Sequence, residues 1–87
     1  MKALFEQLEA INARAQEIVG VAQKTGDWET AYDLIFSNVI INAARVLIKD
    51  LNLSFEYYDP DTSYRDDVMA YTNALDRFIT EKKPFFA

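Results

Sequence analysis

The side chains most able to do chemistry are concentrated in one short stretch, residues 55–67. Oxygen-bearing groups recur at its alternate positions in the order of an EF-hand calcium loop: Asp59, Asp61, Ser63, the carbonyl of Arg65, and Asp67. Such a loop also requires glycine at its sixth position and a bidentate glutamate at its twelfth. Tyr64 and Ala70 occupy those positions here. We therefore expect no metal site in this stretch.

Catalysis by the same carboxylates is not favoured either. The tetrapeptide Asp59-Pro60-Asp61-Thr62 resembles the aspartyl nucleophile motif of haloacid-dehalogenase-type phosphatases. That family needs a parallel α/β sheet to hold the motif, and the chain has no strand–helix–strand pattern. Cysteine and histidine are both absent, which excludes a thiol nucleophile, a histidine acid–base group and a zinc finger. We expect a protein that is not an enzyme and needs no cofactor.

Residues 55–67 have the composition of a protein-binding surface. Tyrosines supply the large, rigid anchors of interface hot spots, and acids supply steering and charged hydrogen bonds. The alternative is that the tyrosines cover the end of a helical core while the acids cap a helix. The predicted partner-binding residues are Glu56, Tyr57, Tyr58, Asp59, Asp61, Tyr64, Asp66 and Asp67.

Several motifs follow one another in the second half of the chain. Tyr57-Tyr58 lies close to Pro60, an acidic stretch and an amphipathic helix follow, and Lys83-Pro84-Phe85-Phe86 comes after that helix. This order resembles that of colicin-type nuclease immunity proteins. Two positions depart from the family pattern, since Asp59 intrudes before the proline and Phe78 stands where the family has tryptophan. The resemblance implies a small, acidic, all-helical inhibitor whose tyrosine turn and nearby acids bind a cationic DNase.

Length and charge restrict the class of partner. The 87 residues form one domain, and 14 acids against 9 bases give a net charge of −5. The basic footprint of a nucleic-acid-binding protein and the polybasic patch of a membrane-surface protein are both missing. We expect a cationic protein partner, with no direct contact to nucleic acid or membrane.

The sequence favours a cytoplasmic location. The first residues do not have the pattern of a signal peptide. The most apolar run, residues 39–48, is interrupted by Asn42 and Arg45, and it is shorter than the roughly 20 residues of a membrane span.

Apolar periodicity predicts the first helix over residues 3–24. Gly26 is then a helix stop and Asp27 the cap of the next helix. The apolar residues follow spacings of three and four, as on one face of a helix: Leu4, Leu8, Ile11, Ala15, Ile18 and Ala22.

The second predicted helix, from Trp28 to about Asp50, is apolar on several faces. A helix of this kind is central in its domain or faces a second chain. Because only two other helices are available to cover it, we expect a homo-oligomer, a dimer or larger. The predicted interface residues are Phe36, Asn38, Ile40, Ile41, Asn42 and Ile48.

Residues 51–58 fit two patterns. Apolar and polar residues alternate as in a strand, yet Leu51, Phe55 and Tyr58 also share a helical face. No second strand pattern is present to pair with this one, so a short fourth helix or an extended connector is favoured. A strand paired across a dimer is the alternative.

The last predicted helix covers residues 64–82. Ser63 and Asp66 resemble the capping box that begins a helix, and Pro84 follows its end. The apolar face of this helix consists of Tyr64, Val68, Tyr71, Leu75 and Phe78.

These patterns together predict an all-α protein of one domain, residues 1–87, folded as a somewhat elongated antiparallel three-helix bundle. The favoured function is a small acidic binding protein that inhibits or sequesters a larger partner, such as a nucleic-acid-processing enzyme. Nuclease immunity, phage anti-defence and antitoxin roles all belong to this class. The alternatives are a structural or adaptor subunit assembled through the second helix, and a small-ligand sponge formed between subunits.

Overall fold

All regular structure is helical in residues 1–37 and 39–86, the part of the chain that this computed structural model describes. This part contains no β-strand, so the predicted all-α class is confirmed. The elements are α1 (Lys2–Thr25), α2 (Trp28–Phe36), α3 (Val39–Asp50), α4 (Tyr64–Lys82) and a 3₁₀ turn, Lys83–Phe85.

The junction between α1 and α2 forms as the sequence predicts. Gly26 adopts the left-handed conformation, with φ of 75°, and donates its backbone N–H to the carbonyl of Ala22. Asp27 caps α2, since its carboxylate accepts the backbone N–H of Thr30 at 3.1 Å and the Thr30 hydroxyl at 2.7 Å. Glycine fits the first position because it has no side chain to strain, and a carboxylate fits the second because it satisfies a free helix N–H.

The predicted second helix is described as two segments, α2 and α3. Ser37 is the last described residue before α3, and both its backbone N–H and its hydroxyl donate to the carbonyl of Asp33. A serine hydroxyl competes for backbone acceptors in this way, which favours serine at helix ends. Asn38, one of the predicted interface residues, lies outside the described residues.

A length-and-composition test for membrane helices identifies one stretch of the described chain, the 23 residues Trp28–Asp50. This stretch contains the shorter apolar run of residues 39–48. The core helix of a soluble protein passes the same test, because it too must be apolar on several faces.

Residues 51–63 form a connector without any helix, so the possible short fourth helix at 51–58 is wrong. Asn52 ends α3 in the left-handed conformation, with φ of 59°. Its N–H bonds to the Lys49 carbonyl at 2.9 Å, and the N–H of Leu53 bonds to the Ile48 carbonyl at 3.0 Å. This pair of bonds is the Schellman arrangement, which turns the chain sharply out of the helix. The connector that follows exposes Ser54, Glu56 and Tyr58, while Leu53, Phe55 and Tyr57 pack on the core.

The core combines the predicted apolar faces of α1 and α4 with residues from α2 and α3. The α4 face is buried from Val68 to Phe78, but Tyr64 at its start is 48% exposed. On α1, Leu4 and Ile11 are only half-buried. The buried apolar residues are Phe5, Leu8, Ala15, Ile18, Val19, Ala22, Ala31, Ile35, Ile40, Ala44, Leu47, Ile48, Leu51, Val68, Tyr71, Leu75, Phe78 and Ile79.

The first helix sets the length of the molecule. The extents are 36 × 21 × 21 Å, and the 24 residues of α1 span about 36 Å at roughly 1.5 Å each. The predicted elongation is therefore confirmed. Along α1, Asn12 donates to the carboxylate of Asp76 at 2.9 Å, while Phe5 stacks on Phe86 with ring centroids 4.7 Å apart.

A substitution in α4 tests this core. Leu75 is fully buried, so Leu75→Ala should leave a cavity and lower the free energy of unfolding by about 2–5 kcal/mol. Leu34→Ala is the matched control, because Leu34 is 45% exposed and should cost less than about 1 kcal/mol. Urea unfolding followed by circular dichroism measures both. Equal losses would contradict the assignment of Leu75 to the core.

Candidate functional site

The acids of the predicted surface build the turn that leads into α4. The carboxylate of Asp59 accepts the backbone N–H of Asp61 at 3.1 Å, and Asp61 adopts a left-handed conformation with φ of 50°. The hydroxyl of Ser63 accepts the backbone N–H of Asp66 at 3.1 Å, which caps α4. In turn, Asp66 accepts the hydroxyl of Thr62 at 3.0 Å. These bonds fix the exposed carboxylates on a defined backbone.

Asp67 does not belong to the exposed surface. Its exposed fraction is 6%, and it accepts the backbone N–H of Thr62 at 3.4 Å. Burial raises the pKa of Asp67, and the nearby charges of Asp59 and Asp61 raise it further, against the effect of the backbone hydrogen bonds. The prediction that Asp67 is a partly exposed contact residue is therefore wrong, because the turn folds over it.

The three tyrosines of the predicted surface have three different environments. Tyr57 is half-buried, with its ring 5.1 Å from that of Tyr71 in an edge-on arrangement. Tyr64 is partly exposed and lies 5.0 Å from the ring of Tyr32 in α2. Tyr58 is 82% exposed and has no hydrogen bond or ring contact within residues 1–37 and 39–86. Only Tyr58 is fully available as an anchor for another molecule.

Electrostatics indicate that several of these groups lie close together. Burial raises the pKa of Tyr57, and the negative charges of Asp59 and Asp67 raise it further. The exposed remainder of the predicted site lies on the connector and the first turn of α4, with Tyr58 near its middle. We call it the Tyr58 surface, and its members are Glu56, Tyr58, Asp59, Asp61, Tyr64 and Asp66.

The predicted oligomer interface is largely used within the chain. Ile40 and Ile48 are 4% and 5% exposed, so they belong to the core and the prediction that they contact a second chain is wrong. Phe36 is half-buried, with its ring 4.7 Å from Tyr32. Of the predicted residues, only Asn42 is exposed among those described, and Ile41 is half-buried.

Different residues of α3 are apolar and exposed. Val39 is 72% exposed and Val46 is 57% exposed. Val46 and Ala43 border an open apolar groove that also includes Ile11 of α1. The sequence pattern could not separate these residues from Ile40 and Ile48, since all of them lie on a helix that is apolar on several faces.

A second groove, which sequence reasoning missed, lies between α3 and the connector. Its volume is about 430 Å³. Arg45 and Lys49 of α3 line it, together with Tyr57 of the connector and Tyr71 of α4. The two cations are four residues apart on one helical face, which is the signal that could have drawn attention to them.

No group of three or more carboxylates in the described part of the chain is arranged to hold a metal ion. The carboxylates of Asp59, Asp66 and Asp67 instead accept hydrogen bonds from backbone and hydroxyl donors. Comparisons with protein-family models, with curated proteins and with solved structures found no match to this chain.

The pH dependence of stability tests the position of Asp67. A carboxyl group whose pKa is raised on folding binds its proton more tightly in the folded state, so its ionised form opposes folding. Wild-type protein should therefore gain stability relative to Asp67→Asn as the pH falls from 7 to about 3. Urea unfolding at both pH values measures the difference, with the exposed Asp50→Asn as a control for loss of one charge. An opposite trend would mean that Asp67 is stabilised as a carboxylate.

Proposed function

We propose that this chain is a small acidic binding protein that inhibits or sequesters a larger cationic protein through the Tyr58 surface. The exposure of Tyr58 carries the proposal. Tyr58 is 82% exposed, so most of its apolar ring is in contact with water in the free protein. Tyrosine is one of the residue types that are enriched among interface anchors. Glu56 and Asp59 flank it on the exposed side of the connector.

Rigidity of the surrounding backbone supports the proposal. Tyr57 is packed against Tyr71, and on the other side Asp59 accepts the N–H of Asp61. Tyr58 is therefore presented between two fixed points. Binding loses less conformational entropy when the anchor is already held in place, so a short surface of this kind can bind tightly.

Charge supports a cationic partner. Of the six residues in the Tyr58 surface, four are carboxylates, and the chain as a whole has a net charge of −5. Such a field accelerates the encounter with a positively charged surface and repels polyanions. A nucleic-acid-processing enzyme is a fitting target, because its own substrate requires a basic surface. Immunity, anti-defence and antitoxin proteins act in this way.

We further propose an antiparallel order for α1 and α4 within a three-helix bundle. Three contacts support it: Phe5 with Phe86, Asn12 with Asp76 and Gln16 with Thr72. Residues further along α1 contact residues that come earlier in the second half of the chain, as expected for antiparallel helices. We also propose that the protein acts in the cytoplasm and that it acts by binding alone, without catalysis or a cofactor. The absence of cysteine and histidine supports this part.

A homo-oligomer is the second candidate, and one observation favours it. Val46 is exposed at the apolar groove that Ile11 and Ala43 also border, and Val39 of the same helix is exposed as well. Burial of such a surface against a second copy would remove apolar area from water. In this case the chain would act as a structural or adaptor subunit, with or without a further partner.

A cross-linking experiment tests the Tyr58 surface. Benzoylphenylalanine replaces Tyr58 in one variant and Val21, which is 61% exposed on α1, in the control. After irradiation in a lysate of the source cells, the variant at position 58 should give a discrete cross-link to a cationic protein, and high salt present during irradiation should prevent that cross-link. The control should give no such cross-link. The same product from both positions would contradict the proposal.

Kinetics with the captured protein refine the test. Tyr58→Ala should weaken binding by about 2 kcal/mol or more, mainly through faster dissociation. Asp61→Asn should instead slow association and reduce its salt dependence, because an exposed charge steers more than it holds. Asparagine tolerates the left-handed conformation of residue 61, so the turn is retained. Unchanged rates in both variants would refute the proposed surface.

Sedimentation tests the second candidate. If α3 forms an interface, the protein should have at least a dimer mass at about 100 µM, and the mass should fall on dilution. Val46→Lys should then produce a monomer that keeps its helical content, because position 46 is exposed within the single chain. A monomeric mass for the wild type at that concentration would exclude the oligomer.

A further inference from the structure

The groove between α3 and the connector has the dimensions of a small-molecule site. Its volume of about 430 Å³ falls within the roughly 300–1,000 Å³ of known ligand pockets. One wall is α3, the other is the connector, and Tyr71 of α4 contributes to the lining. The groove does not include Tyr58, so it is separate from the surface proposed to bind a protein.

The polar lining of the groove consists of donors and cations. Arg45 and Lys49 line it without any aspartate or glutamate, although the chain as a whole has 14 acids and 9 bases. Among the described residues, neither cation forms an ion pair, since the two salt bridges found there involve other residues. In the described part of the chain, the one hydrogen bond of the Arg45 guanidinium goes to the side-chain oxygen of Asn42, at 3.0 Å. Both positive charges are therefore available to an anion.

Two phenols lie near the guanidinium group. Burial raises the pKa of Tyr71 to about 12, and the positive charge of Arg45 opposes this rise. The same charge opposes the rise in the pKa of Tyr57. Arg45, Tyr57 and Tyr71 all line the groove, so its walls include three side chains that can donate hydrogen bonds. Phenols with raised pKa values remain protonated at neutral pH and keep their role as donors.

The rest of the lining is apolar and aromatic. Phe55 and Tyr57 stack with centroids 6.0 Å apart and an angle of 20° between their planes, and Tyr71 meets both rings edge-on. Ile41 and Ile48 line the α3 side. A flat apolar group fits such a wall, because aromatic faces pack well against planar ligands.

The backbone of the connector borders the groove. The turn at Asn52 directs the connector away from α3 through the two hydrogen bonds that end the helix. Beyond Leu53, the backbone of residues 54–60 forms no backbone–backbone hydrogen bond with the described residues. Its polar groups therefore add to the hydrogen-bonding capacity at the edge of the groove.

We propose that this groove binds a small organic anion, a planar apolar body that carries one carboxylate or phosphate group. The anionic group bonds to the guanidinium of Arg45 and the hydroxyls of Tyr57 and Tyr71, with Lys49 adding charge at the rim. The apolar body lies against Phe55 and the α3 isoleucines. Guanidinium groups pair with both carboxylates and phosphates through two parallel hydrogen bonds.

Three probes with one ring system test the site: naphthyl phosphate, naphthoate and the uncharged naphthol. Calorimetric titration of the whole chain should give saturable binding of at least one anion below about 1 mM. Naphthol should bind at least about tenfold more weakly, because it makes no charge-assisted hydrogen bond. The tighter of the two anions identifies the group for which the site is built. Naphthol binding as tight as that of the anions, or no saturable binding, overturns the proposal.

Variants locate the binding within the molecule. Arg45→Gln should weaken the binding of both anions about tenfold or more and leave the affinity for naphthol unchanged. Lys24→Gln is the matched control, since it removes one exposed positive charge from the end of α1 and should change neither affinity. Both substitutions are on the surface, so both variants should fold. Equal weakening by the two variants would assign the binding to net charge and overturn the proposed site.

Discussion

The position of the connector depends on the ring contacts of Tyr71. Tyr71 is 2% exposed and touches Phe36 of α2, at 5.6 Å between centroids, as well as Phe55 and Tyr57 of the connector. One buried side chain thus joins three parts of the chain. Because the connector has no strand to pair with in the described residues, these ring contacts replace the backbone hydrogen bonds that would otherwise hold an extended segment.

The connector separates two kinds of chemistry on its two sides. Phe55 and Tyr57 pack inward beside the cations of α3, whereas Glu56 and Tyr58 are exposed to solvent. An extended chain places successive side chains on opposite sides, which makes this separation possible within a few residues. The two proposed activities, binding of a cationic protein and of a small anion, therefore use neighbouring residues without sharing a surface.

The acids near the start of α4 have a structural role that limits their role in recognition. Asp66 and Asp67 accept hydrogen bonds from Thr62, and negative charge is favourable in the first turn of a helix. Asp67 is then buried by the turn it helps to form. A recognition role is left to the acids that remain exposed, which explains why the sequence, with five acids in this stretch, predicted a larger surface than the structure retains.

The sequence by itself determined the all-α class, the bounds of α1 and α4, and the stops and caps at Gly26, Asp27 and Ser63, because these depend on local spacing and local hydrogen bonds. Only the tertiary structure decided which faces of the second apolar segment are buried, since Ile40 and Val39 are both strongly apolar and yet Ile40 is buried while Val39 is exposed. It also decided that residues 51–58 are extended, because both patterns fit the sequence and packing on Tyr71 selected one. The groove between α3 and the connector also depends on the tertiary structure, because its walls combine residues of α3, the connector and α4 that are distant in the chain.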